Sequence, residues 1–571
     1  MAYITIATWT RLLPQVSVGR IVAINLLDGM DQSSQSFAGS QPTKRRRIDR
    51  PVKSLPAQVL NYCTVCLEEQ LFSQAFTLLS NSLLSGSGTS KPVLVPTPPH
   101  LALAATLTVH PRVTTRTNSA DKESEADDAF DYLRTVVRVA GPKGAELRNA
   151  FRPTETGHSR SRNKRSKSRL STQSSDEDDT HSARIRLSFA DKGSIWSNAT
   201  DFWSVVGWAF NCSVKYPRRW QRWKLWLELM LEVLDADLDD HSVGGNATGC
   251  LLAEYIQCIG EGRNNKRRLM RAILADGSTK SLAEFHEVWR NETRPPKEKK
   301  DDAKLSQKRK LDLDNGEFGD YFDNESEEDS PAVSGRRSRS TSAFSSRKQS
   351  RQPSDGEESN SEAGRADEQR IAELLGVAAF GGIDSIRLRQ RFLALLVRLC
   401  SQAPQVFLDT EDLFDLSTEF IKPLPLAVFQ QFVLPSKAYL DIHAASSLSQ
   451  TLLRPLLANT APAYDANALT QTDFDNHYAG FAANVTNVID NAKVSLLVES
   501  LLRLLWQHGD LIDSRVTCNR VELGIAERRT KASWDGRRKT GVKALEEEQA
   551  LQVLTASSKR MMQILDMLRD E

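Results

Sequence analysis

Three short stretches hold residue types that could do chemistry. Cys63-Thr-Val-Cys66 has the spacing of half a zinc knuckle, where thiolates and imidazoles complete a tetrahedron around the metal. The second half is missing: no histidine lies close by, and the next cysteine is Cys212. Positions i and i+3 share one face of a helix, so this pair is predicted to be core. His286-Glu-Val-Trp-Arg290 opens like the helix of a zinc protease, but Arg290 stands where the second ligand belongs. Asp235–Asp240 (DADLDD) begins like a calcium loop. Asp240 then takes the place of the turn glycine and Asn246 that of the bidentate glutamate.

This acidic run is read as a helix end entering a loop. Its charges oppose the helix dipole, and Arg263, Lys266, Arg267 and Arg268 are the expected compensating cations. No phosphate loop, dinucleotide fingerprint or nucleophile elbow occurs, and the histidines have no paired carboxylates beside them. The sequence therefore predicts no enzyme, no cofactor, no metal site and no small-molecule substrate.

A fourth stretch raises a different chemistry. YPRRWQRWKLWLELMLEVL (residues 216–234) packs Trp220, Trp223 and Trp226 among Arg218, Arg219, Arg222 and Lys224. Aromatic rings among cations can stack on nucleic-acid bases if they project from an exposed platform. Here the aliphatic residues continue the same helical stripes: Trp220, Trp223, Leu227 and Leu234 on one, Trp226, Leu229 and Val233 on another. Trp203 and Trp208 on the preceding helix supply packing partners, so all five tryptophans are expected in the core. The basic edge, with Lys266, Arg267 and Arg268, remains a candidate contact for phosphate or an acidic partner.

The elements that must hold these residues are helical. Apolar residues recur at helical spacing in separate blocks, and strand patterns are scarce. The predicted fold is all-α, an irregular solenoid-like or bundled array interrupted by long, disordered, charged linkers. The boundaries read as a polar tail (1–52), a helical block (53–151) that includes Ala126–Phe151, a basic then acidic linker (152–185) and a tryptophan-rich helical domain (186–292) with a helix expected over Ser281–Arg290. A charge-block linker (293–366), a helical array (367–510), a basic loop (511–543) and a terminal amphipathic helix (544–571) follow. In the larger linker, Lys297–Asp329 has 12 acids against 7 bases, whereas Ser330–Arg351 has 6 bases and no acid, so its charge alternates in blocks. Such composition buries too little apolar surface to offset chain entropy.

Composition limits the function. The 571 residues carry a net charge of only +2, so the chain is not a polycation built to coat nucleic acid. Seven scattered cysteines read as reduced thiols, and no apolar run is long enough to predict a membrane span. Residues 1–29 read either as an extension ahead of a start at Met30 or as a mitochondrial presequence.

Two basic clusters, Lys44-Arg45-Arg46-Arg47 and the group Lys164, Arg165, Lys167 and Arg169, resemble nuclear-import signals. Ser174 and Ser175 precede acids and suit an acid-directed kinase. The expectation is a non-enzymatic nuclear scaffold or adaptor in a chromatin, genome-maintenance or transcription complex. It would bind partner proteins through its helical blocks, touch nucleic acid weakly and in a salt-sensitive way, and engage no membrane. The alternative is a nuclear or nucleolar RNA-associated factor, in ribosome assembly or RNA processing, using Ser159–Leu170, Gly335–Arg351 and Arg528–Lys543.

Overall fold

A computed structural model describes residues 51–85, 91–152, 185–245, 247–296, 376–457, 469–533 and 542–570. Among them the chain is an all-α array. Two three-residue strands, β1 (Val52–Ser54) and β2 (Val93–Val95), pair in parallel with Val52 opposite Val93. The first helices are α1 (Ala57–Glu68), α2 (Phe72–Leu84), α3 (Pro98–Val109) and α4 (Ala120–Val139). Next come α5 (Phe202–Lys215), α6 (Pro217–Val243) and α7 (Arg263–Ile273). The C-terminal part holds α8 (Gly382–Gln402), α9 (Thr410–Ile421), α10 (Leu426–Val433) and α11 (Ile442–Leu457). It closes with α12 (Val488–His508), α13 (Arg515–Ser533) and α14 (Val542–Asp570). Shorter helical turns join these.

Local chemistry fixes the ends. Asp201 caps α5, its Oδ1 accepting from the Ser204 amide at 2.8 Å, while Ser204 Oγ faces the Asp201 amide in return. Tyr216 closes α5 and Pro217 opens α6, where a missing N–H costs nothing because a first-turn amide has no helical acceptor. At about 1.5 Å per residue, α6 runs about 40 Å, long enough to touch most of its neighbours. It packs on α3, α4, α5 and α8. In the C-terminal half α12 plays the same part, covered by α10, α11, α13 and α14. Contacts of α7 with α9, and of α8 with α6, join the halves, so helices separated in sequence by the long linkers build one unit from Asp49 onward.

Four expectations need correction. Ala126–Phe151 is not one helix: α4 stops at Val139, Gly141 takes φ 73°, and two short helices follow at Gly141–Gly144 and Leu147–Phe151. Pro142 disfavours helical backbone at the residue before it, which ends the run. The helix expected over Ser281–Arg290 covers Thr279–Glu284. Phe285 turns out of it into the core, against Gly207 of α5, where a Cβ would lie 2.4 Å from the ring. The acidic run 235–240 stays inside α6 and does not open a loop. The basic loop assigned to 511–543 contains α13, whose inward face mixes the apolar Cys518, Val521 and Ala532 with Thr517, Gly524 and Arg528.

Candidate functional site

Two of the tryptophans, Trp208 and Trp223, converge on one carboxylate. Glu292 is fully buried, and its Oε1 accepts from Trp208 Nε1 (2.6 Å), Trp223 Nε1 (3.0 Å) and Arg219 Nε (3.1 Å). Its Oε2 accepts from the Trp289 amide at 3.1 Å. Arg219 is completed by Thr114 and Thr115 hydroxyls, each at 3.2 Å, and by the Val109 carbonyl at 2.8 Å. Trp223 stacks on Trp289 and meets Trp226 edge-on. Trp203 donates to the Tyr255 carbonyl at 3.1 Å. Trp203, Trp208, Trp223 and Trp226 are all buried, whereas Trp220 is half-buried at the border of the core.

This removes Arg219 from the proposed contact edge. At 2% exposure it faces inward, because a guanidinium can satisfy Glu292, two hydroxyls and a carbonyl at once while its neighbours turn outward. Most of the other edge cations already have acids. Arg222 pairs with Asp127, Lys224 with Asp384 (2.6 Å), Arg267 with Glu419 (2.7 Å) and Arg268 with Asp201 (2.9 Å). Arg218 is exposed and Lys266 half-buried, and neither makes an ion pair among the described residues. The edge therefore ties α6 and α7 to their neighbours.

The acids of 235–240 are not met by Arg263, Lys266, Arg267 or Arg268. Arg398, reaching from α8, pairs with both Asp235 and Asp239. Asp237 accepts from the Leu251 amide at 2.6 Å, capping the short helix Leu251–Gln257; burial raises its carboxyl pKa. Cys63 and Cys66 both point into the core from α1, and burial with the neighbouring thiol pushes Cys63 up to about 11. Among the described residues no group of three or more His, Cys, Asp and Glu is placed to hold a metal. Nor is any helix among them long and apolar enough to cross a membrane.

One feature went unread in the sequence. The loop between α3 and α4 brings Arg112 and Arg116, and the first turn of α4 brings Lys122, around a cleft of about 700 Å³, with Thr117 and Asn118. His110 sits behind it between Phe189 and Trp289. Burial, then the charges of Arg112, Arg219 and Arg116, push its imidazole down to about 3. The only sequence signal was three bases in a short polar stretch, which is weak alone. The import clusters at Lys44–Arg47 and Lys164, Arg165, Lys167 and Arg169, with Ser174 and Ser175, lie outside the described residues. Compared with known proteins, the chain matches no protein family, no characterised protein and no solved structure.

Proposed function

We propose that the chain is a non-enzymatic nuclear scaffold, a subunit of a chromatin, genome-maintenance or transcription complex that binds partner proteins through its helical surfaces. The observation that supports this most is the use of polar groups in the helical unit. The arginines and glutamates that could have formed a charged binding face instead clamp one helix to another, while apolar side chains remain outside. Tyr62 and Val65 are more than half exposed on α1; Val516 on α13 and Ile512 just before it are exposed to a similar or greater degree. Apolar residues shown to solvent at helical spacing suit docking of another helix. The import clusters and Ser174 and Ser175 add the nuclear and phosphorylated parts of the reading.

The RNA-associated alternative draws support from one observation, the Arg112–Arg116–Lys122 cleft. Its other basis narrows: within Arg528–Lys543, Arg528 is fully buried. The two readings separate in one experiment. Tagged protein is purified from nuclear extract with and without ribonuclease, and co-purifying chains are identified. A nuclease-resistant set of protein partners, stable to raised salt, is expected; partners that vanish with ribonuclease would put the RNA reading first, since phosphate contacts weaken steeply with salt.

A further inference from the structure

Between α8, α10, α11 and α12 lies a pocket of about 170 Å³, walled mainly by Leu393, Phe432, Leu440, Leu448, Leu452 and Leu504. Three polar groups on its wall are already engaged. Gln390 donates to the Gln431 carbonyl at 2.6 Å, Ser449 to the Ala445 carbonyl at 2.9 Å and Ser500 to the Val433 carbonyl at 3.1 Å. Arg503 is not fully engaged. Its Nη2 meets Glu499 at 2.7 Å, but its Nε is buried with no acceptor among the described residues. Among those residues it is also the one charged side chain on the wall.

More positive charge stands at the rim. Lys437 is exposed beside the Tyr439 ring, and Arg387 reaches Ser436 at 3.5 Å while sharing Asp384 at 3.9 Å, an acid that also pairs with Lys224. Asp441, on the same loop, is occupied in capping α11, accepting from the Ala444 amide at 2.7 Å. An apolar cavity of about 150 Å³ is enough to hold a benzene ring. The vacancy therefore fits one aromatic side chain with carboxylates next to it, one of them facing Arg503.

The chain carries such a sequence. Glu317-Phe-Gly-Asp-Tyr-Phe-Asp323 sets Phe318, Tyr321 and Phe322 among acids, and no base occurs from Asp312 to Asp329. This stretch belongs to the segment joining Pro296 to Gly376, and a short helical turn at Val377–Phe380 links that segment to α8. Leu393 lies only about 16 Å along that helix from its start, at about 1.5 Å per residue. We propose that the pocket docks the acidic, aromatic segment Glu317–Asp329 of this same chain, one ring filling the cavity and the carboxylates facing Arg503, Lys437 and Arg387. Covalent linkage raises the local concentration of the segment at the pocket, so weak contacts suffice to hold it. A partner presenting the same chemistry would have to displace it.

The test uses a fluorescent peptide of residues 314–329. It is titrated against the full chain and against the full chain carrying Phe318→Ser, Tyr321→Ser and Phe322→Ser. The substituted chain, with its pocket vacated, should bind the peptide at least about tenfold more tightly than the unmodified chain, because tethered and free segments compete for one site. Adding Ala438→Trp, at an exposed rim position, should abolish that binding without moving the melting temperature. Lys437→Glu should weaken it several-fold at low salt. Equal affinity for both chains would mean that the pocket takes such peptides but is not held by this segment, and the proposal fails. It fails too if neither chain binds, or if Ala438→Trp leaves binding intact.

Discussion

Two arginines, Arg219 on α6 and Arg389 on α8, are shielded from water to nearly the same degree and held in opposite ways. Arg219 faces a carboxylate, Glu292, inside a shell of indoles and hydroxyls. Among the described residues Arg389 has no acid within bonding distance, and Asp276 acts on it only through space. Its Nη1 donates to the Ile273 carbonyl at 2.8 Å and its Nε to Ser385 Oγ at 3.2 Å. The plane of its guanidinium lies between the rings of Phe210 and Phe380, 4.2 and 4.3 Å from their centroids. Burial pulls its pKa down to about 9. The tryptophan region thus buries a closed ion pair, while the junction of α5, α7 and α8 buries a lone cation on ring faces and carbonyls.

The difference predicts which site breaks harder. Removing one member of a buried pair leaves an uncompensated charge, at a cost of about 3–5 kcal/mol. Glu292→Ala should show this loss in chemical denaturation, since it strands Arg219 and leaves two indole N–H groups without an acceptor. Arg389→Met strands no opposite charge and keeps a side chain of similar length, so its loss should stay near 1–2 kcal/mol. Equal losses at the two sites would mean that Arg389 has a countercharge and that the contrast is wrong.

Lys493 sharpens the same contrast by pH. Its Nζ donates to the Lys422 and Leu424 carbonyls at 2.6 and 3.0 Å, and burial draws its pKa from 10.5 down to about 8. Below about 8 the folded state carries a charge it disfavours. Between about 8 and 10.5 the unfolded state holds more protons, so this group makes stability rise with pH. Compared with Lys493→Met, the wild type should gain on the order of 2–3 kcal/mol from pH 7.5 to pH 10. Other titrating groups contribute to both proteins and cancel in the difference. A flat difference would show that the two carbonyls hold the charge without penalty.

Much of the tryptophan region was legible because burial leaves a periodic trace: Trp223, Leu227 and Leu234 share a stripe whatever they pack against. Its organising residue was not. Glu292 sits at the border of a charged linker, far along the chain from Trp208, Arg219 and Trp223, and a single acid there reads like its solvated neighbours. The helix α13 was missed for a related reason. Its inward face sets only Cys518, Val521 and Ala532 among Thr517, Gly524 and Arg528, so its apolar signal is thin. Gly524 is required because a Cβ would lie 1.9 Å from the Ala479 carbonyl, which also accepts from the buried Arg528. The edge cations could be read as a group, but whether each faced water or an acid depended on Asp127, Asp201, Asp384 and Glu419 arriving from distant helices.

Those edge pairs mark the small end of the scale. Arg222 pairs with the exposed Asp127, and Lys224 with the half-exposed Asp384. Water screens such pairs, and each contributes about 0–1 kcal/mol. Arg222→Gln together with Lys224→Gln should therefore shift the denaturation midpoint only slightly, against the large loss at Glu292 a turn or two away in space. The small shift gives the pair of substitutions a use. Because the fold survives, any loss of co-purifying partners in the double variant would assign the edge to binding despite its internal acids. An unchanged partner set, with stability also unchanged, would leave the edge as a solvated seam and make Tyr62, Val65, Ile512 and Val516 the next positions to substitute.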